Sequence, residues 1–234
     1  MIVCSFAVPS ESSRFTGKLR HSWKVKAGAL PWILGNLGRH EVLVVHAGIG
    51  SESAAKVTAE VLQAHDPRLW ISSGFAGALD PRLQGGDIFL AENQSAPDAY
   101  RRAASLEAGS LHVRTGRMVT AEQPVESPAA KRTLAAETSA LAVDMETAPI
   151  REECSKRGVP LLSVRAISDT ASQALPIPFD VWFDVERQKP RPLALVCHLL
   201  RHPSKVTPFS EFLENIFLSK RNLATFLDLY VRSN

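Results

Sequence analysis

The stretch Val143 to Ala171, VDMETAPIREECSKRGVPLLSVRAISDTA, constrains the fold of this chain more than any other. A polar-faced segment after Met145-Glu146 has the makings of a helix, and Gly158-Val159-Pro160 ends it. Leu161 to Ile167 is then an apolar run of strand length, followed at once by Ser168-Asp169-Thr170. Helix, turn, buried strand and carboxylate is the grammar of an open α/β sheet, whose ligands bind outside the carboxyl ends of the strands. Asp169 stands at such an end, and Glu146, at the head of the helix, can face the same crevice. Two acids there can divide the labour, one holding hydroxyl groups of a ligand and the other giving a proton to a leaving group. Spacing alone equally allows Asp169 as the N-cap of a following turn and Glu146 as a first-turn acid that complements the helix dipole.

Other segments repeat the grammar. Ile2 to Val8 reads as a buried strand that Pro9 ends, with Ser10-Glu11-Ser12-Ser13 as a loop or helix start and Glu11 as another acid at a strand end. Glu41 to Ala47 is a second apolar run, followed by Gly48-Ile49-Gly50-Ser51 and a helix reaching His65. Glycines there permit a tight turn, and the helix N-terminus exposes N–H groups that can hold an anion or a sugar oxygen. His46 reads as a strand residue with a satisfied hydrogen bond. Arg68 to Ser73 opens a third run that ends in Gly74-Phe75-Ala76-Gly77-Ala78-Leu79. Two glycines three apart after a strand let the backbone approach a flat ligand. Residues 91 to 117 are polar and irregular and carry no assignment.

At 234 residues, with 45% hydrophobic and 22% charged, the chain suits one large α/β domain spanning 1–234 with a full core. A net charge of +3 without a long basic run argues against nucleic acid as a partner. Positive charge collects in residues 187–234, where Arg187, Lys189, Arg191, Arg201, Lys205, Lys220, Arg221 and Arg232 oppose only Glu211, Glu214 and Asp228. Cys4, Cys154 and Cys197 are odd in number and widely spaced, which fits neither a disulfide framework nor a metal site and points to a reducing cytoplasm. MIVCSFAV runs straight into a strand and argues against a signal peptide.

The pair VDMETA and VRAISDTA, together with GIG, GFAGAL and GGDIFL in the same order, resembles the purine nucleoside phosphorylase and 5′-methylthioadenosine/S-adenosylhomocysteine nucleosidase family. The likeness runs from Ile2 to about Ala171. It implies a three-layer αβα sandwich around a central mixed, partly barrel-like sheet, with extra helices at the C-terminus. It implies that Met145 and Glu146 hold the ribose and that Asp169, kept protonated by burial, gives a proton to the purine. Glu11, four residues after Ala7, matches the acid that activates the attacking water. The loops at Gly48 and at Phe75-Ala76-Gly77 would line base and ribose. Arg117 to Val125 matches the segment framing the purine, with Pro124 where relatives stack an aromatic ring and the Val125 backbone at the base edge. No metal and no cofactor is implied, and a homodimer or larger assembly is.

Within this family the nucleophile is water or phosphate. A phosphate dianion needs charge-assisted, preferably bidentate, partners. Where the phosphorylases carry an arginine and a serine around the third-strand glycine, this chain has Ser72 and Phe75. Glu11 would repel phosphate yet orient and deprotonate water. The expected activity is therefore hydrolysis of the N-glycosidic bond of a 5′-substituted purine nucleoside, adenine being the expected base. Arg14, Arg20 and Arg39 are the cations that could restore an anion site by folding inward, although they read as surface residues. The alternatives are phosphorolysis of a lipid-linked adenosine such as adenosylhopane, and a nucleoside-binding protein without turnover.

Residues 175–234 form a helical extension: Leu193 to Leu200 as a short helix, Arg201-His202-Pro203-Ser204 as a break, and Pro208 to Val231 as a long helix. Phe209, Phe212, Leu213, Ile216, Phe217, Leu223, Phe226, Leu227 and Tyr230 recur at helical spacing. That face can pack on its own domain or a second subunit, or touch a membrane surface through its basic flanks. The extension resembles hopanoid-associated phosphorylase-like proteins.

Overall fold

The computed structural model of the chain describes residues 1–25, 31–184 and 189–234. In chain order the elements are β1 (Ile2–Phe6), α1 (Pro9–Thr16), β2 (Arg20–Val25), β3 (Trp32–Leu37), β4 (His40–His46), α2 (Ser51–Ala64) and β5 (Leu69–Ala78). There follow β6 (Ile88–Ala91), α3 (Pro97–Ala104), β7 (Val113–Gly116), β8 (Met118–Thr120), α4 (Pro128–Thr138), β9 (Ala142–Asp144), α5 (Thr147–Lys156) and β10 (Leu161–Asp169). The tail holds α6 (Phe179–Trp182), the short pair β11 (Phe183–Asp184) and β12 (Lys189–Pro190), α7 (Pro192–Arg201) and α8 (Val206–Ser233). Arg187, one of the basic residues of the tail, lies outside the described residues.

Among the described residues the main sheet has ten strands and runs β2-β3-β4-β1-β5-β10-β6-β7. Its centre is parallel: β1 pairs with β4 and with β5, and β5 with β10. The outer pairings β2–β3, β3–β4 and β6–β10 are antiparallel. β5 is the longest strand and serves two neighbourhoods. Its first half lies between β1 and β10, while Gly77 and Ala78 beyond it pair with β9, which in turn pairs with β8. This branching curls the sheet and brings the ends of β5, β9 and β10 together.

Every residue of β1 and of β10 is buried, as befits parallel strands covered on both faces. Ile2, Cys4 and Phe6 point to one face, where Phe15 of α1, Ala99 of α3 and Leu223, Phe226, Leu227 and Tyr230 of α8 meet them. Val3, Val45 and Trp70 point to the other, against Ala54 and Val61 of α2 and Ile150 and Cys154 of α5. The result is the mixed-sheet sandwich with flanking helices that the resemblance implied. α5 stops as read: Gly158 takes φ +67, and the Val159 N–H returns 2.9 Å to the Cys154 carbonyl, a Schellman closure that favours glycine.

The tail helix divides into two parts. From Ser219 onward α8 belongs to the core, with Ser219 Oγ donating to the Ile167 carbonyl at 2.6 Å and Tyr230 Oη to the Ala99 carbonyl at 3.3 Å. Its first half and α7 leave apolar side chains outside; Leu193 and Leu200 are 81% and 77% exposed. α7 ends at Arg201, and a 3-10 turn over Pro203–Lys205 precedes α8, which matches the expected break. No helix of the described residues is long and apolar enough to cross a membrane.

Candidate active site

Three acids singled out in the sequence stand around the C-terminal half of β5. Glu11 is in the first turn of α1, where Pro9 at the helix start fixes the turn. Its Oε2 accepts the Ala7 N–H at 3.1 Å. A Cβ placed on Gly74 would sit 3.0 Å from that oxygen and 3.7 Å from Arg165 Nη1. Glu146 is the N-cap residue of α5, yet its side chain makes no cap bond to its own helix. It reaches across to accept the Gly50 N–H at 3.1 Å. The N-terminus of α2 therefore receives a carboxylate of the protein itself, which supplants the structural reading of Glu146 as a complement to the dipole of α5. Gly48, expected to line the ligand, gives its N–H to the Ala7 carbonyl at 2.9 Å, which ties the turn to β1.

Asp169 closes β10. The register with β5 shifts between Ile167 and Asp169, so Ser168 is the extra residue of a bulge, and a bulge re-aims the side chain beside it. A Cβ on Gly77 would stand 3.2 Å from Asp169 Oδ2. The two glycines thus make room for Asp169 and Glu11, and they lie within β5 rather than after it, which corrects where the strand was expected to end. Gly74 also has φ +152, a value side-chain-bearing residues rarely adopt.

Buried charges missed in the sequence complete the constellation. Arg165, in the middle of β10 and 2% exposed, donates from Nη2 to Asp144 Oδ2 at 2.6 Å, to Thr147 Oγ1 at 2.6 Å and to Ser72 Oγ at 3.0 Å, and from Nε to Asp144 at 3.2 Å. Lys131 on α4, fully buried, forms an ion pair with Asp169 Oδ2 and donates to the carbonyls of Thr170 at 2.8 Å and Gln173 at 2.9 Å. Ser168 Oγ donates to the other oxygen of Asp169 at 2.6 Å. Beside the burial that the sequence pointed to, an ammonium group lies against Asp169. Arg165 was legible in principle, since a lone charge inside the run LLSVRAISD must find a buried partner. Lys131 had no such signal, because PAAKRTLAAET reads as a solvated helix. Arg14, Arg20 and Arg39 are all exposed.

Burial pushes the Glu11 carboxyl up to about 7, against the pull of Arg165, the backbone N–H groups of Ala7 and Val8, and Lys220. Glu146 is pushed up to about 8, first by burial and then by the charge of Asp144, while Arg165 and the Gly50 N–H oppose the shift and Glu11 adds to it. Glu11, Glu146 and Asp144 thus share one guanidinium, and burial, joined at Glu146 by the charges of Asp144 and Glu11, keeps protons on the first two near neutrality.

Along β5, Gly74 and Gly77 are three residues apart, so the Glu11 and Asp169 ends are separated by roughly 10 Å of strand. Met145, half-buried, gives its carbonyl to Ser51 Oγ at 3.4 Å. Phe75 is half-buried on the Phe6 and Phe15 cluster, and the Ala76 carbonyl accepts a bond from Ser168 Oγ at 3.3 Å. Pro124 and Val125 are half-buried, Val125 packing with Leu79 and Val143. The next residue, Glu126, anchors α6 by accepting the Phe179 N–H at 2.7 Å. His46 is satisfied by Ser12 Oγ at 2.8 Å and the Pro31 carbonyl at 2.5 Å. No group of His, Cys, Asp and Glu among the described residues is arranged to hold a metal ion.

Comparison with known proteins bears on the family and the fold. The family model of the phosphorylase superfamily matches residues 2–102 and 94–201. The 5′-methylthioadenosine/S-adenosylhomocysteine nucleosidases of Staphylococcus epidermidis and Staphylococcus aureus are 25% identical over 205 residues, covering 76% of this chain and 90% of theirs. Among solved structures, that of the 5′-methylthioadenosine/S-adenosylhomocysteine nucleosidase of Neisseria meningitidis, in complex with methylthio-immucillin-A, superposes with a TM-score of 0.76 at 19% identity, covering 100% of this chain and 99% of that one. The futalosine hydrolase of Helicobacter pylori gives a TM-score of 0.74 at 20% identity, covering 100% and 97%.

Proposed function

The chain belongs to the phosphorylase superfamily, and from that premise we propose that it is a nucleosidase that hydrolyses the N-glycosidic bond of a purine nucleoside, with adenine as the base. The observation that carries the reading is the separation of duties along β5. Glu11 and Glu146 converge with Arg165 at one end, and Asp169 stands at the other. A gap of roughly 10 Å along the strand leaves room for a sugar and a water between the two ends.

In the reaction Glu146 holds the ribose hydroxyls, with Met145 as an apolar floor. Water adds its oxygen to C1′ and passes a proton to Glu11. The electrons of the C1′–N bond leave with the base, which takes a proton at N7 through Asp169 and departs neutral. The proton on Glu11 then returns to Asp169 by way of solvent. A side chain that titrates near neutrality is suited to accept that proton. Phe75, Ala76, Gly77, Pro124 and Val125 frame the base, and the turn at Gly48 supports the sugar end.

A specific feature favours an apolar 5′ substituent. Phe179 and Trp182 are half-exposed, with ring centroids 4.9 Å apart, on α6 beside Glu126. They suit a methylthio group, and the exposed apolar face of α7 extends the reading to a lipid-linked adenosine such as adenosylhopane presented at a membrane surface. The same face suits a homodimer, and three unbridged cysteines suit the cytoplasm.

The test is release of free base from methylthioadenosine, adenosylhomocysteine and an adenosine carrying a long 5′-alkyl chain, each with and without phosphate. The reading requires turnover without phosphate and a loss of about 10²- to 10⁴-fold in Asp169→Asn. Turnover that depends on phosphate, or an Asp169→Asn protein of near-normal rate, refutes it.

A further inference from the structure

We propose that Lys131 is a positioning residue for the reaction, acting through Asp169 to hold the acid in its working orientation. The inference rests on the nucleosidase reading above. Lys131 is fully buried and lies on the first turns of α4, whose start is fixed by Ser127 Oγ accepting the Ala130 N–H at 3.1 Å. An ammonium group withdrawn from water is costly unless every hydrogen finds an acceptor. Here each one does: Asp169 Oδ2, the Thr170 carbonyl and the Gln173 carbonyl. A methionine of similar length would fill the space without that cost, so packing alone does not explain a lysine at this place.

The acceptors define what the lysine holds. Two are carbonyls of the turn that leaves β10, and the third is the acid itself, so one side chain on α4 locks both Asp169 and the chain that follows it. Ser168 Oγ takes the other carboxylate oxygen at 2.6 Å, which leaves the carboxyl group little rotational freedom over Gly77. Thr170 N–H also donates to Gln173 Oε1 at 3.0 Å, closing the turn against itself. Because Lys131 has no exposed surface, it reaches the crevice only through the residues it grips. Groups that orient a reacting group from behind are typically worth about 10- to 100-fold in activity.

The experiment is a double-mutant cycle on kcat and KM for base release, with thermal unfolding as a control. Lys131→Met removes the charge; Lys131→Arg keeps the charge but replaces the three-way grip with a planar fork. Each is made alone and in the Asp169→Asn background. Lys131→Met is expected to lower kcat by about 10- to 100-fold with KM changed less than about threefold, and Lys131→Arg to lower kcat as well while melting like the wild type. Neither should change the residual kcat of Asp169→Asn. Equal losses in both backgrounds would make Lys131 a purely structural anchor and overturn the proposal, as would a Lys131→Arg enzyme of wild-type kcat. If Lys131→Met alone does not fold, Lys131→Arg and the Lys131→Met/Asp169→Asn pair, which leaves no unpaired charge, decide the matter. An Asp169→Asn protein of normal rate would instead sink the nucleosidase mechanism, so the two failures are distinguishable.

Discussion

Replacing Glu146 by glutamine should stabilise the protein at alkaline pH while crippling its activity. The carboxyl group titrates at about 8 in the folded chain against 4.5 for an ordinary glutamate, through burial first and Asp144 second. A raised carboxyl group contributes most to stability when protonated in both states, below pH 4.5, and that contribution is lost as pH rises through 8. Between pH 5 and pH 8 about three pH units separate the two states, which at about 1.4 kcal/mol per unit comes to ~4 kcal/mol at most. Partial access of solvent and relaxation of Arg165 reduce this to about 2 kcal/mol. Glutamine keeps the same oxygen on the Gly50 N–H, so the bond at 3.1 Å survives while the buried charge goes. A domain of this size shifts by about 2–4 °C per kcal/mol, so Glu146→Gln should melt roughly 4–8 °C above wild type at pH 8 and within about 2 °C of it at pH 5. Calorimetry or circular dichroism at the two pH values measures the difference. Were the Gly50 and Arg165 interactions dominant over burial, Glu146→Gln would instead melt lower at pH 8; that result, or an equal shift at both pH values, refutes the charge balance argued for the site.

Two further outcomes follow from the same structure. With the Glu11 carboxyl at about 7, a base that must be ionised makes kcat/KM fall as pH drops below about 7, and Glu11→Gln should lose about 10²- to 10⁴-fold in kcat together with that acid limb; pH–rate profiles of both proteins check it, the limb belonging to the coupled Glu11–Glu146 pair. Phe226, fully buried between α8 and the sheet and stacked on Tyr230 at 6.4 Å, should cost about 3–5 kcal/mol as alanine, lowering Tm on the order of 10 °C, whereas a tail that merely rests on the surface would show no change.

What could be read in the sequence followed from how strongly burial marks a segment. β1, β4 and β10 carry mostly apolar runs because helices cover both faces, and Asp169 stood out as the first acid beyond such a run. The β2–β3 hairpin went unread: β2 is RHSWKV, exposed along nearly its whole length, and an edge strand of that kind lacks both a continuous apolar run and clean alternation. The 91–117 segment hid α3 and β7 for a similar reason, since PDAYRRAA buries little more than Ala99 and Ala103. At the site, Glu11, Glu146 and Asp169 could be named because acids at strand and helix ends are conspicuous and the motifs around them resemble those of a known family. Their partners could not: Lys131 is buried only because the turn at Thr170 to Gln173 folds onto α4 from some forty residues away, a fact with no local trace.

The choice of nucleophile follows from how the cations are engaged. Ser72, standing where a phosphorylase carries an arginine, instead takes a bond from Arg165 of the adjacent strand, so a guanidinium does reach the crevice. Its Nη2 and Nε already serve Asp144, Thr147 and Ser72, while Nη1, which also donates to the Val164 carbonyl at 3.4 Å, lies near Gly74 and Glu11. Lys131 is saturated behind Asp169, and Lys220, the weakest influence on Glu11, holds its Nζ 5.8 Å from the Phe217 ring centre. A phosphate dianion at Nη1 would meet Glu11 in the ionised form that activates water, which repels each unit of its charge by about 4 kcal/mol in a partly wet site. A water molecule meets no such opposition and finds there a donor in Nη1 and an acceptor in Glu11, so the grouping that excludes phosphate is the same one that orients water for attack.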